Sequence, residues 1–152
     1  MKNYQWLGRI SYYLLWPGIA IYLHGSQRTR IVLFAEDYIL VVKAWLSDGK
    51  WSLPGGGIHN GESIIEGLFR ELHEETGVEL KTNDINELLS ENFRLHGTRV
   101  KLHYFSASVP ARLPVRKQRG EIIDVQWLHQ SKLDHSNTGK DALRAIAIWK
   151  SH

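Results

Sequence analysis

The chain has 152 residues, 43% of them hydrophobic, which is enough for one domain with a real core and too short for two. It contains no cysteine, which excludes disulfides and thiol chemistry, leaves metal binding to oxygen and histidine, and fits a reducing cytoplasm. The formal charge is +3, but residues 56–78 hold five acids and one arginine, leaving +7 for the rest; an acidic pocket on a basic body suits a metal-bridged phosphate ligand, and no motif for specific nucleic-acid binding accompanies the basic excess.

Taken in order, the chain begins with an apolar stretch at residues 6–23. Its last 14 residues, from Ile10, are uncharged, a run shorter than a membrane span needs and one that Pro17-Gly18 is expected to break. No small-x-small cleavage pattern follows, which argues against a signal peptide. Residues 1–26 are read as an N-terminal extension forming a short helix or strand that packs on the domain or on a second subunit, so a homodimer through this extension is one expected assembly. The alternative is shallow attachment to a membrane surface, with Lys2, Arg9, Arg28 and Arg30 as lipid-facing charges.

Residues 27–152 read as the domain proper. Segments 28–34 and 38–46 are rich in Ile, Val, Leu and aromatics and form a hairpin around Glu36-Asp37. Ser47-Asp48-Gly49 is the next turn, and residues 51–53 make a short strand leading into Pro54 and three glycines. There the missing side chains let backbone close on a metal or phosphate.

An acidic helix follows at residues 63–76. Ser63 and Glu66 form a capping box at its start, and Gly77 suits a left-handed end. Ile65, Leu68, Phe69 and Leu72 give it an apolar stripe. Gly67 costs about 1 kcal/mol against alanine, which marks a place of close packing. Glu71, Glu74 and Glu75 stand at i, i+3 and i+4, within an arc of about 100°. Their mutual repulsion is relieved by a hard divalent cation, Mg²⁺, Mn²⁺ or Ca²⁺.

Segments 85–95 and 99–109 form a second hairpin around His96-Gly97-Thr98, and the imperfect alternation of the latter implies a strand covered on both faces for part of its length. Residues 110–120 form a loop carrying Arg112, Arg116, Lys117 and Arg119. A solvated loop is the favoured reading and a phosphate-gripping lid the alternative. Segment 121–128 is the last strand and 141–150 an amphipathic helix. The order of elements gives an α+β, or mixed α/β, sandwich.

Gly56, five residues, Glu62, seven residues, Arg70-Glu71-Leu72, one residue, Glu74-Glu75, one residue and Gly77-Val78 resemble the signature box of the Nudix hydrolases at every defined position. The resemblance implies a Nudix-type α/β/α sandwich with a mixed central sheet. It implies hydrolysis, dependent on Mg²⁺ or Mn²⁺, of a phosphoric anhydride bond in a nucleoside diphosphate linked to a group X, so that a small-molecule nucleotide is the expected partner. By the same resemblance Glu71, Glu74 and Glu75 ligate metal, Glu71 serving as base in some members, and the Gly56 carbonyl completes the shell. Arg70 orients the glutamates, Glu62 pairs with Arg70, and Gly77 closes the box.

Many members use a further acid as base or ligand. Glu121 is the candidate here, with Glu36 and Glu91 as alternatives, while an exposed strand-end glutamate without a role is the plainer reading. His59 and His73 sit at variable positions and receive no role. Trp45, Trp51, Phe93 and Tyr104 could stack on a base, although each also fits the core. A nucleoside triphosphate and a nucleotide sugar such as ADP-ribose both remain open as substrates. The competing class is a Nudix-fold domain that binds a nucleotide without turnover, held at a membrane or partner by residues 6–23; the intact glutamate trio favours activity.

Overall fold

Alternation along the strands sorts the apolar side chains onto the two faces of a single sheet. A computed structural model describes residues 5–95, 97–117 and 121–152. Strands β1 (Gln27–Ala35), β2 (Tyr38–Ala44), β3 (Ile85–Leu95), β4 (Thr98–Ser108) and β5 (Ile122–His129) lie in the order β3-β4-β1-β2-β5. The β1/β4 pair is parallel and the others are antiparallel, so the sheet is mixed.

Val32, Val100, Leu102 and Tyr104 point to one face, where they meet α3 (Lys140–Lys150) through Ala142, Ala145 and Ile146, and α1 (Gln5–Leu23) through Leu23. The opposite parity, Ile31, Leu33, Phe105 and Ala107, meets Leu68 and Leu72 of α2 (Ile64–Thr76). This is the expected α/β/α sandwich. Each fully buried leucine of α2 contributes about 1.5–3 kcal/mol, which fixes the acidic helix against the sheet. β4 is buried on both faces from Leu102 to Ala107, the reason its alternation is imperfect.

Three expectations are corrected. Pro17-Gly18 does not break the N-terminal stretch, because α1 runs through it as one helix. Proline removes one backbone bond, and Trp16, Ile19 and Leu23, packed against the core, hold the turns around it. Residues 51–53 do not form a strand but make isolated bridges, Val42 with Ser52 and Trp51 with Thr138. β2 ends at Ala44 rather than residue 46, because its register with β5 slips between Lys43 and Ala44 and residues 45–49 bend away into the next loop. His96, in the expected hairpin turn, lies outside the described residues. Among the described residues no helix is long and apolar enough to cross a membrane.

Candidate active site

Local chemistry places the acidic helix. The Ser63 hydroxyl accepts the Glu66 N–H at 3.2 Å while the Glu66 carboxylate accepts the Ser63 N–H at 2.8 Å. Gly77 ends the helix at φ 73°, a conformation open to glycine at little cost. Leu68 and Leu72 are buried, whereas Ile65 and Phe69 of the expected stripe are half-buried. A side chain at Gly67 would stand 3.0 Å from the Glu62 carboxylate, which accounts for a glycine inside the helix.

Ahead of the helix, residues 54–58 are laid along β1. Ile31 N–H donates to the Pro54 carbonyl at 3.0 Å, Thr29 N–H to Gly56 at 2.8 Å, and Ile58 N–H to the Gln27 carbonyl at 3.1 Å. A Cβ on Gly55, whose φ is 133°, would overlap the Thr29 carbonyl, and one on Gly56 would overlap the Glu71 carboxylate. These two glycines hold open the space in front of Glu71.

Arg70 is the hub of the box. Its Nε donates to Glu62 Oε1 at 2.8 Å and its Nη2 to Glu62 Oε2 at 3.0 Å and to the Gly57 carbonyl at 2.9 Å. Its Nη1 donates to Glu71 Oε1 at 2.9 Å and Glu74 Oε2 at 3.3 Å. The fork ties the loop to the helix and orients two of the three glutamates, the geometry expected of Arg70 and Glu62.

Hydrogen bonding from Arg70, and then from the His59 N–H, holds the Glu62 carboxyl down at about 2. A carboxyl whose folded value is depressed stabilises the fold above its unfolded value and loses that contribution as pH falls through the folded one. Glu62→Gln should therefore melt below wild type at pH 7, and the gap should narrow as pH drops from about 4.5 towards 2. Melting curves across that range, with a constant gap, would contradict the assignment.

Glu75 turns the other way, its Oε2 accepting the Gly55 N–H at 2.9 Å. Enclosure by protein pushes its carboxyl up to about 7 against the opposing pull of that N–H and of Arg30. Among the described residues no three or more His, Cys, Asp or Glu side chains already converge as a metal cage, because Arg70 draws Glu71 and Glu74 to itself while Glu75 faces Gly55. The donor set nevertheless fits a hard cation. Three carboxylates share one helix face, and the Gly56 carbonyl, which accepts one N–H from Thr29, keeps a second lone pair.

Glu71, Glu75 and the glycine loop open onto a cavity of about 1150 Å³. Arg28 lines it rather than facing lipid as the membrane alternative has it, and its Nε is buried with no hydrogen-bond partner among the described residues. Burial pulls its pKa below the ordinary value, and neighbouring Arg30 adds to that. Arg30 is not lipid-facing either. Only 8% exposed, it donates from Nε to Asp141 Oδ2 at 2.8 Å and from Nη1 to the Gly55 carbonyl at 2.7 Å. Arg28, Arg30 and Asp141 are the residues that sequence reasoning missed as parts of the site. The available signal was two arginines two positions apart, hence on one face of the strand beside the glycine loop.

Glu121 precedes β5 by one residue and lines the same cavity, exposed, with no hydrogen bond or ion pair from its side chain among the described residues. Glu91 is held instead by a two-pronged contact from Arg144, at 3.0 Å on each oxygen, and Glu36 sits in the β1/β2 turn at φ 52°. Trp45, Trp51 and Phe93 reach the cavity, but Tyr104 is wholly buried and cannot stack on a ligand. In the loop before β5, Arg112 lies 4.5 Å over the Tyr38 ring, Lys117 donates to the Ile123 carbonyl at 3.1 Å, and the Arg116 side chain packs at Gly77. None of the three lines the cavity, which favours the solvated-loop reading; Arg119 lies outside the described residues.

The NUDIX domain family model matches residues 26–147. The chain belongs to the Nudix family. It is 29% identical to Nudix hydrolase 6 of Arabidopsis thaliana over 103 residues, which is 68% of this chain and 35% of that protein. It is 31% identical to Nudix hydrolase 2 of the same plant over 112 residues, 69% of this chain and 40% of that one. The chain thus spans well under half the length of these curated relatives. Among solved structures, the NUDIX domain of Shewanella oneidensis NrtR, complexed with ADP ribose, superposes with a TM-score of 0.71 at 23% identity, covering 84% of this chain and 87% of that one. The sandwich around the glutamate helix is a Nudix fold.

Proposed function

We propose that this Nudix protein hydrolyses the phosphoric anhydride bond of a nucleoside diphosphate linked to a second group, with Mg²⁺ or Mn²⁺ held by Glu71, Glu74, Glu75 and the Gly56 carbonyl. The observation that carries the reading is the placement of Glu71 and Glu75 beneath a side-chain-free loop at the wall of a nucleotide-sized cavity. A bound divalent ion supplies charge neutralisation of the anhydride and activation of water.

The chain's own residues supply the rest. Arg70, anchored on Glu62 and Gly57, keeps the glutamate face in register with the loop. Arg28, which lines the cavity and whose Nε has no hydrogen-bond partner among the described residues, offers its guanidinium to a phosphate oxygen. Glu121, exposed at the same cavity, accepts a proton from the attacking water at its carboxylate in this reaction. Trp45 and Trp51 supply apolar faces for a base.

A substrate with groups on both sides of the diphosphate is preferred to a triphosphate. The ADP ribose in the NrtR domain points to the same class. Residues 1–26 are read as an extension to the domain, and a cytoplasmic location remains part of the proposal. Binding without turnover is the second reading, favoured by the grip of Arg70 on Glu71 and Glu74.

A phosphate- and nucleotide-release screen over ADP-ribose, other nucleotide sugars and triphosphates, with Mg²⁺ or Mn²⁺, tests the choice. The expected result is metal-dependent cleavage that falls at least about tenfold in Glu74→Gln. Tight binding of a nucleotide with no release across the panel would establish the second reading instead.

A further inference from the structure

Helix α1 is apolar on both sides, and only one side is covered. Its inward residues Tyr12 and Leu23 are buried, while Trp6, Ile10, Tyr13, Leu14, Ile21 and Tyr22 are 47–81% exposed. An outward helix face this apolar is not a solvated surface; it is one waiting for a partner.

Two features choose the partner. The first is charge. Residues 1–35 contain no Asp or Glu; the neighbouring acids Asp48 and Glu121 lie on the domain side, by the inward Tyr12 and by Trp45, and the exposed basic groups at the ends of the outward face are Arg9 at one and His24 and Arg99 at the other, where the Gly25 N–H bonds the Arg99 carbonyl at 2.9 Å. A second copy would bring basic end against basic end whether the two helices ran parallel or antiparallel. An anionic surface complements both ends. The second is the aromatic content: Trp6, Tyr13 and Tyr22 pair an apolar ring with a polar tip, the combination that settles at the level of lipid headgroups. Since α1 cannot span a bilayer, it would lie in the plane of the interface.

We propose that the exposed face of α1 binds the surface of an anionic lipid membrane. The face enters the boundary between headgroups and acyl chains, and Arg9 and Arg99 meet lipid phosphates. Depth comes from the apolar face and selectivity from the charges.

Flotation of the full chain with vesicles of phosphatidylcholine alone, or mixed with phosphatidylglycerol, tests this directly. Wild type should float with the anionic vesicles and much less with the neutral ones, and raised salt should weaken the difference. Leu14→Glu and Ile21→Glu, which alter exposed positions outside the cavity wall, should each lower partitioning by about tenfold or more. Turnover of a soluble nucleotide and the thermal melt should be unchanged in both, so a failure here is separate from any failure of the hydrolase reading. Wild type that stays at the bottom of the gradient with both vesicle types overturns the proposal. So does a wild-type dimer in sedimentation that Leu14→Glu splits while vesicle binding is absent, which would assign the face to a second copy.

Discussion

Replacing Asp141 with alanine should cost about 3–5 kcal/mol of folding stability, the penalty for leaving a buried cation without its counter-ion. The side chains of Arg30 and Asp141 are 9% and 5% exposed and meet at 2.8 Å. Asp141 also lies in the first turn of α3, where a carboxylate faces the unpaired N–H groups of the helix start. At about 2–4 °C per kcal/mol for a domain of this size, the melting point should fall by roughly 6–20 °C. Urea unfolding with the midpoint lowered and the slope unchanged would identify the loss as stability rather than a change in the unfolded chain. Glu91→Gln, which breaks the half-exposed contact with Arg144, is the control and should shift the midpoint far less. Equal shifts in the two variants would refute the argument. The loss should also reach the site, because Arg30 Nη1 holds the Gly55 carbonyl and the N–H of the same residue holds Glu75.

That chain of contacts explains what could and could not be read from the sequence. The acidic helix was legible because everything that makes it is local: the Ser63 and Glu66 exchange, the left-handed Gly77, and the spacing of Glu71, Glu74 and Glu75. The sandwich was legible for a similar reason, since strand alternation and one doubly covered strand leave marks in a few consecutive residues. Arg30 and Asp141 are 111 positions apart, and no periodicity joins them. Alternation puts Arg28 and Arg30 on one face of β1, but only the docking of residues 54–58 decides that this face meets the site rather than solvent or lipid. The same limit applies to α1, where Pro17 argues for a break and packing on the core overrides it. Arg70 was expected to orient glutamates. That it would hold Glu71 and Glu74 while Glu75 faces elsewhere depends on side-chain geometry that spacing does not encode.

Glu75→Gln should abolish turnover, by more than about a hundredfold, because losing a ligand exceeds the 10–100-fold typical of losing a residue that only orients one. Its stability should move the other way. Enclosure raises the Glu75 carboxyl to about 7, so the charged form is disfavoured in the folded state and Glu75 costs stability as pH rises above its unfolded value. Glutamine removes that charge, and its side-chain oxygen can still accept the Gly55 N–H now bonded at 2.9 Å. The metal-free variant should therefore melt at or above the wild-type temperature at pH 7. Added Mn²⁺ should then separate the two proteins. An ion that binds only the folded state stabilises it by about 2.7 kcal/mol at a hundred times its dissociation constant, so wild type should gain several degrees and Glu75→Gln little at the same concentration. Melting with and without Mn²⁺, beside turnover, reads both effects on one pair of proteins. A variant that is inactive and also melts well below wild type would mean that Glu75 supports the fold rather than a cation. A variant that gains as much from Mn²⁺ as wild type would place the ion away from this carboxylate.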